Sequence, residues 1–263
     1  VIQAAYEKTA AAKSAKVRMT MTMPTGMAGA AGATPRGGME MTGVLGWDPG
    51  MMDVTVKGGG LGGAGGSRMV MVDRVIYVDT GRNAPAEAGG KRWMKLDLEA
   101  LGGKTGDAAL QKQLTGSLES MNQDPAEQLA LLLDSPNLKH VGPEKVGGVD
   151  AQHYRGTLTV DEMVASNRSL SVLSGKEREE LVARMKASGL KAYDTAVWVD
   201  GDGYPVRMDV GMGTPEGEVE VSVTYSDYGT EAAVQAPPAG QTFDFMEMLE
   251  KLSGAARDAG AAA

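Results

Sequence analysis

A chain of 263 residues, 42% hydrophobic and 23% charged, is long and apolar enough to bury a substantial core, which excludes wholesale disorder. It has no cysteine, so a disulfide scaffold, thiolate metal ligands, a cysteine nucleophile and an iron–sulfur cluster are excluded together, and two histidines, His140 and His153, are too few for a three-histidine zinc centre. A formal net charge of −8 is the wrong sign for gripping phosphate backbones over a broad surface, which argues against nucleic acid as a partner.

The apolar inventory is uneven, with 18 Met against 3 Trp, 7 Tyr and 2 Phe. No stretch approaches 18 consecutive apolar residues, so the sequence offers no membrane-spanning helix. The chain opens in an Ala-rich helical pattern over residues 3–15, without the charged and apolar regions of a signal peptide. Such a start fits a trimmed exported domain and a cytosolic protein alike; the lack of cysteine leans toward export.

From Val17 the period changes to two. Val17, Met19, Met21 and Met23 alternate with Arg18, Thr20 and Thr22, which predicts a strand with one buried face. The alternation returns in Met39, Met41 and Leu45, then in Met52, Val54 and Val56, and shorter strands are expected at 68–72, 74–79 and 92–97. Strands at this spacing without intervening helices indicate an antiparallel meander. Asp124-Pro125-Ala126-Glu127 then reads as a helix start, with Leu129, Leu132 and Leu133 on one face. Strands resume at 138–145 and 149–160. A second helix follows over 176–187, with Ser174 and Glu177 as a capping box, Leu181 and Met185 one turn apart, and Gly189 as its stop. The last third is a hairpin series, 192–199 into Asp200-Gly201-Asp202-Gly203 and out through Tyr204, Val206, Met208, Val210 and Met212, then Val219 to Tyr225 in alternation. The sum is an α+β fold with a single antiparallel sheet of about ten to eleven strands and a few covering helices. One domain is expected over residues 1–250, followed by an Ala/Gly-rich frayed tail over 251–263.

Candidate catalytic motifs fail on context. Gly58-Gly59-Gly60-Leu61-Gly62-Gly63 matches G-x-G-x-x-G, but no helix follows to receive a pyrophosphate. Gly102-Gly103-Lys104-Thr105 would need a glycine where Leu98 stands. Asp200-Gly201-Asp202-Gly203 is a hairpin turn rather than a calcium loop, because the bidentate glutamate is missing. His153 shares a strand face with Arg155 and Thr157, expected to be the solvent side, and no G-x-S-x-G elbow accompanies either histidine. The paired carboxylates Glu179 and Glu180 read as helix solvation. Nothing argues for an enzyme, a cofactor or a metal.

What remains is the apolar face of the sheet. Methionine can simply fill core gaps, or it can line a surface that adapts to ligands of variable shape. On the second reading the sheet curves around a cavity for an acyl chain, lined by Met19, Met21, Met41, Leu45, Val54, Val56, Met69 and Met71, with Leu129, Leu132, Leu133, Leu181 and Met185 contributed by helices that act as movable covers. The stretches 24–38 and 57–67 are either long flexible hairpin loops or a mobile mouth bearing Met27, Met39 and Leu61.

Five stretches resemble a known family. These are Val197-Trp198-Val199-Asp200-Gly201-Asp202-Gly203-Tyr204-Pro205-Val206-Arg207-Met208 with Val223-Thr224-Tyr225-Ser226-Asp227-Tyr228-Gly229 and Ala236-Pro237-Pro238-Ala239, the opening strand 14–20, and Val149-Asp150-Ala151-Gln152-His153-Tyr154-Arg155-Gly156. Together they resemble actinobacterial cell-envelope lipoproteins of the LppX/LprAFG type, across most of residues 3–245. The resemblance implies a LolA/LppX-like half-barrel sheet with helices over its concave face and no catalytic residue. It also implies an apolar cavity for acylated lipid or glycolipid, and attachment to the outer face of the cell membrane through a lipid on a cysteine upstream of this sequence. An envelope transporter would be a partner of such a carrier, and a protein-binding sensor on the same fold is the alternative.

Overall fold

The computed structural model describes residues 1–24, 38–58, 66–81, 84–97, 125–133, 135, 137–166, 174–187, 189–190, 192–215, 217–230 and 234–248. The expected tail at 251–263, Met27, Leu61 and the turn at 102–105 lie outside these residues.

Two meanders build one sheet. The first runs through β1 (Ser14–Thr22), β2 (Met39–Trp47), β3 (Gly50–Lys57), β4 (Ser67–Val72), β5 (Val75–Asp79) and β6 (Trp93–Asp97). The second runs through β7 (Lys139–Val146), β8 (Val149–Thr159), β9 (Ala192–Asp200), β10 (Pro205–Thr214) and β11 (Gly217–Ser226). β1 pairs with β11 along its length, from Lys16 opposite Ser226 to Thr22 opposite Glu220, and so joins the two meanders edge to edge. A short β12 (Thr242–Asp244) lies parallel to β6 at the far edge, giving the order β12-β6-β5-β4-β3-β2-β1-β11-β10-β9-β8-β7 in an open sheet of twelve strands. This is the expected antiparallel architecture with one strand more; a three-residue Thr-Phe-Asp strand is too short to show a period.

Tight turns set the register. Asp73 and Arg74 both adopt positive φ between Val72 and Val75, and Gly147 and Gly148 do the same between Val146 and Val149, as a two-residue hairpin turn requires. At the Asp200 hairpin, the Tyr204 N–H donates to Asp200 Oδ1 at 2.8 Å, so the Asp-Gly pairs close a turn.

Besides short helical turns at Ala86–Ala88, Ala239–Gln241 and residues 245–248, the described residues form α1 (Ile2–Ala12), α2 (Pro125–Leu133), α3 (Val160–Ser166) and α4 (Gly175–Ala187). The opening helix ends three residues earlier than its composition suggests, at a left-handed Lys13. Ser14 and Ala15 already belong to β1, opposite Gly46 and Leu45, and the Ser14 hydroxyl donates to the Thr230 carbonyl at 2.7 Å. Tertiary pairing overrides the helix propensity of an Ala-rich run. The expected capping box at α4 is present, with Ser174 N–H donating to Glu177 and Glu177 N–H to the Ser174 hydroxyl. An equivalent box at Thr159 and Glu162 starts α3, a helix absent from the sequence reading although its Thr-x-x-Glu signal is in the chain.

The period of two sorts the sheet cleanly. One row of directly paired residues crosses eight strands as Tyr154, Val197, Met208, Val223, Met19, Met41, Val56 and Ser67. The adjacent row on the other face reads His153, Trp198, Arg207, Thr224, Arg18, Thr42, Thr55 and Arg68. The packing of α1 and α2 falls on the first face. Ile2 and Ala5 of α1 and Leu129 and Leu132 of α2 bury against Val197, Val199 and Met208.

Gly156 of β8 is where α2 seats. A Cβ there would lie 2.7 Å from Ser135 Oγ and 3.0 Å from Leu132 Cδ1, and the Ser135 hydroxyl donates to the Thr157 carbonyl at 3.1 Å. Helix and strand are in direct contact. Gly156→Val should therefore cost about 1–3 kcal/mol through overpacking, read as a lowered urea midpoint with an unchanged slope.

Candidate functional site

The apolar face divides into two clusters. Under α1 and α2 lies the closed one, with Leu133, Leu138, Tyr6 and Tyr154 at its margin. The second covers β1 to β5 and is made of Val17, Met41, Leu45, Met52, Val54, Val56, Met69, Met71, Ile76 and Val223, all buried. Met19, Met39, Val78, Leu96, Val221 and Tyr225 pack against it. Its groups are hydrocarbon, thioether and one phenol at the rim, and none of them carries a charge.

Pairing explains how the sequence assembles this patch. Met19 faces Met41, Met21 faces Met39, Leu45 faces Met52, Met52 faces Met71, and Val54 faces Met69. Gly43 sits at its centre between Val17 and Val54; a Cβ there would lie 2.1 Å from the Asp53 carbonyl oxygen, so only glycine permits this approach of β2 and β3. Ser67, the polar residue of the central row, spends its hydroxyl on the Asp79 carbonyl at 2.7 Å.

The sequence-derived residues therefore separate into three groups. Met19, Met41, Leu45, Val54, Val56, Met69 and Met71 meet in the second cluster, and Met21 lies on the same face, half-buried. Leu129 and Leu132 are fully buried in the first cluster, with Leu133 packed against it. Leu181 and Met185 are half-buried on α4, a helix with no buried residue that packs against α3, and neither is among the residues of the two clusters. Val17, Met52, Ile76 and Val223 are the buried additions; Val17 and Met52 alternate in phase with residues already chosen on their strands, so the period could have found them, whereas Ile76 and Val223 lie on strands from which none was chosen.

The opposite face carries a different arrangement. An open groove of about 310 Å³ is bordered by His153, Arg155, Asp194, Trp198, Arg207 and Asp209. The His153 ring stacks on Trp198 with centroids 4.2 Å apart, and the Arg207 guanidinium lies 4.9 Å from the same indole. Glu144 of the edge strand accepts the Trp198 Nε1 proton at 2.8 Å and stands 3.1 Å from His153 Nδ1. Arg207 is held by both oxygens of Asp209. This ladder ties β7 to β8, β9 and β10.

Burial pushes the His153 pKa below the ordinary 6.5, and the Glu144 carboxylate only partly offsets this. A histidine depressed in the fold contributes stability that is complete above the unfolded-state value and declines as pH falls from there through the folded value. Stability should thus drop as pH is lowered from 7 through about 6.5, and His153→Gln should flatten that slope in urea titrations at successive pH values.

An open antiparallel sheet bearing its helices on one apolar face is the fold of the LppX-type lipoproteins. LppX of Mycobacterium tuberculosis superposes with a TM-score of 0.53 over 89% of this chain and 96% of its own, at 13% identity. No protein-family model matches the chain. The chain belongs to the same family as a 31.2 kDa protein of Streptomyces griseus from the rplA–rplJ intergenic region, with which it is 32% identical over 261 residues, covering 93% of this chain and 78% of that protein. SCO4650 of Streptomyces coelicolor, described as a candidate lipoprotein, is 28% identical over 225 residues, 80% of this chain and 66% of its own length.

Proposed function

We propose that this protein is a non-enzymatic cell-envelope lipoprotein that holds the acyl chains of a lipid or glycolipid against the methionine-bearing face of β1 to β5 and carries them between a membrane and a partner. The observation that supports it most directly is an apolar row crossing eight strands without a charged side chain. A hydrocarbon chain moved from water onto such a surface gains about 0.8 kcal/mol per buried methylene, and methionine can follow its shape. Attachment outside the cytoplasm, through a lipid on an upstream cysteine, is part of the same reading; it is supported by the lipoprotein descriptions of SCO4650 and LppX. An envelope transporter is the partner this role would call for.

A polypeptide-binding role would use the free edge strand β7. That edge is blunted by Pro143 and by the register shift between His140 and Gly142, both of which disfavour addition of a further strand. The acyl reading is therefore the stronger.

Native mass spectrometry of the purified chain, followed by lipid extraction, should find bound acyl lipid or uptake of an acyl probe. Val78→Glu places a carboxylate at the margin of the methionine cluster without touching either helix. It should weaken probe uptake at least about tenfold while leaving the fold intact by circular dichroism. A wild-type chain that neither carries lipid nor takes up the probe would sink the carrier reading.

A further inference from the structure

The motif that lipid binding does not require is the repetition of Met-x-Met. Met19-Thr20-Met21 on β1 lies antiparallel to Met39-Glu40-Met41 on β2, so that Met19 is opposite Met41 and Met21 opposite Met39. Residues two apart on a strand share a face, and directly opposed residues stand about 5 Å apart at Cβ. Four thioethers therefore start from the corners of one small quadrilateral, each on a side chain with three rotatable bonds. Met19 and Met39 pack on the cluster that contains Met41, while Met19, Met21 and Met39 keep partial access to solvent.

Neither of the usual reasons for choosing a strand residue accounts for this quartet. Strand positions favour β-branched and aromatic side chains, and a uniquely packed core uses methionine sparingly. Valine does occupy the flanking positions, Val221 opposite Met21, Val223 opposite Met19 and Val56 opposite Met41. These neighbours supply no oxygen or nitrogen ligand. The strands are also braced from behind. On the reverse face the Arg18 guanidinium holds Glu40 Oε1 at 2.7 Å, which keeps the Glu40 carboxyl below the usual carboxylate range and fixes β1 against β2.

We infer that Met19, Met21, Met39 and Met41 form a binding site for a soft monovalent metal ion, Cu(I). Thioether sulfur is a soft, neutral ligand that selects Cu(I) and discriminates against Zn(II) or Mg(II), which require imidazole, thiolate or oxygen. The apolar walls add to that choice, because a hard dication would lose its hydration there without recovering it. Among the described residues no three His, Asp or Glu side chains come together as a competing centre. The site shares residues with the acyl-binding face yet depends on sulfur, whereas acyl binding depends only on apolar area.

That difference sets the experiment. The full chain is titrated anaerobically with Cu(I) supplied as its bicinchoninate complex, and with Ag(I) as a redox-silent probe read by native mass spectrometry. The site should withdraw one equivalent of Cu(I), with a sulfur-only first shell in X-ray absorption. Met21→Leu with Met39→Leu keeps volume and apolarity; it should weaken metal binding about tenfold or more while the circular dichroism spectrum and urea midpoint stay close to those of the wild-type chain. Met52→Leu with Met71→Leu, deeper in the same cluster, should leave metal affinity unchanged. Single Met39→Leu serves if the double variant fails to fold, with a smaller loss in the same direction. Failure to retain either ion, a first shell containing nitrogen or oxygen, or wild-type affinity in the folded Met21/Met39 variant would overturn the site. Loss of acyl uptake with metal retained in the Val78→Glu variant would leave the two activities separate.

Discussion

Every feature described above depends on the pairing of β1 with β11. Each meander alone is a ribbon of local hairpins, and the hydrogen bonds between residues 16–22 and 220–226 turn two ribbons into one sheet. The pairing closes a loop of about two hundred residues, so its entropic cost is high and cannot be met by backbone hydrogen bonds alone. The apolar face meets it: Val17 opposite Tyr225, Met19 opposite Val223 and Met21 opposite Val221 bring the two halves of that face into contact. A slip of one residue would place Arg18 in this row and expose Met19, which makes the register strongly specified.

The same face then serves two purposes. Beneath α1 and α2 it is filled: small residues, Ala5 and Gly156, let helix and sheet approach, and Leu129 and Leu132 occupy the space between. Over β1 to β5 the cluster is rich in methionine, a residue that adapts its shape instead of imposing one. Rigidity and adaptability are thus placed side by side on one continuous surface.

The strands and their inward faces were legible because alternation is a local property: Val17, Met19 and Met21 announce their common side within five residues. What a helix face meets is a non-local property. The stripe of Leu129, Leu132 and Leu133 shows that α2 is buried, but the same stripe would suit either cluster, and pairing with Ile2 and Ala5 of α1 decides it. Leu181 and Met185 stand outside both clusters for a related reason, since a helix that carries Lys, Glu and Arg at seven of its thirteen positions packs against its small neighbour α3. The end of α1 was masked by alanine, whose helix preference says nothing about the strand partner waiting at Gly46 and Leu45. On the polar face the His153, Trp198 and Arg207 ladder was invisible because its members come from three strands, although each hairpin turn that aligns them was readable.

The left-handed Lys13 has a mechanical consequence. It passes the chain from α1 directly into a central strand, held on one side by β2 and on the other by β11. Tension applied at Lys13 along the axis of β1 would load both flanking ladders in shear, where many hydrogen bonds resist together. The same pull on edge strand β7 would peel them one at a time. A chain tethered by its first residues would hang from the part of the sheet best able to bear load, while the opposite edges stay free of it.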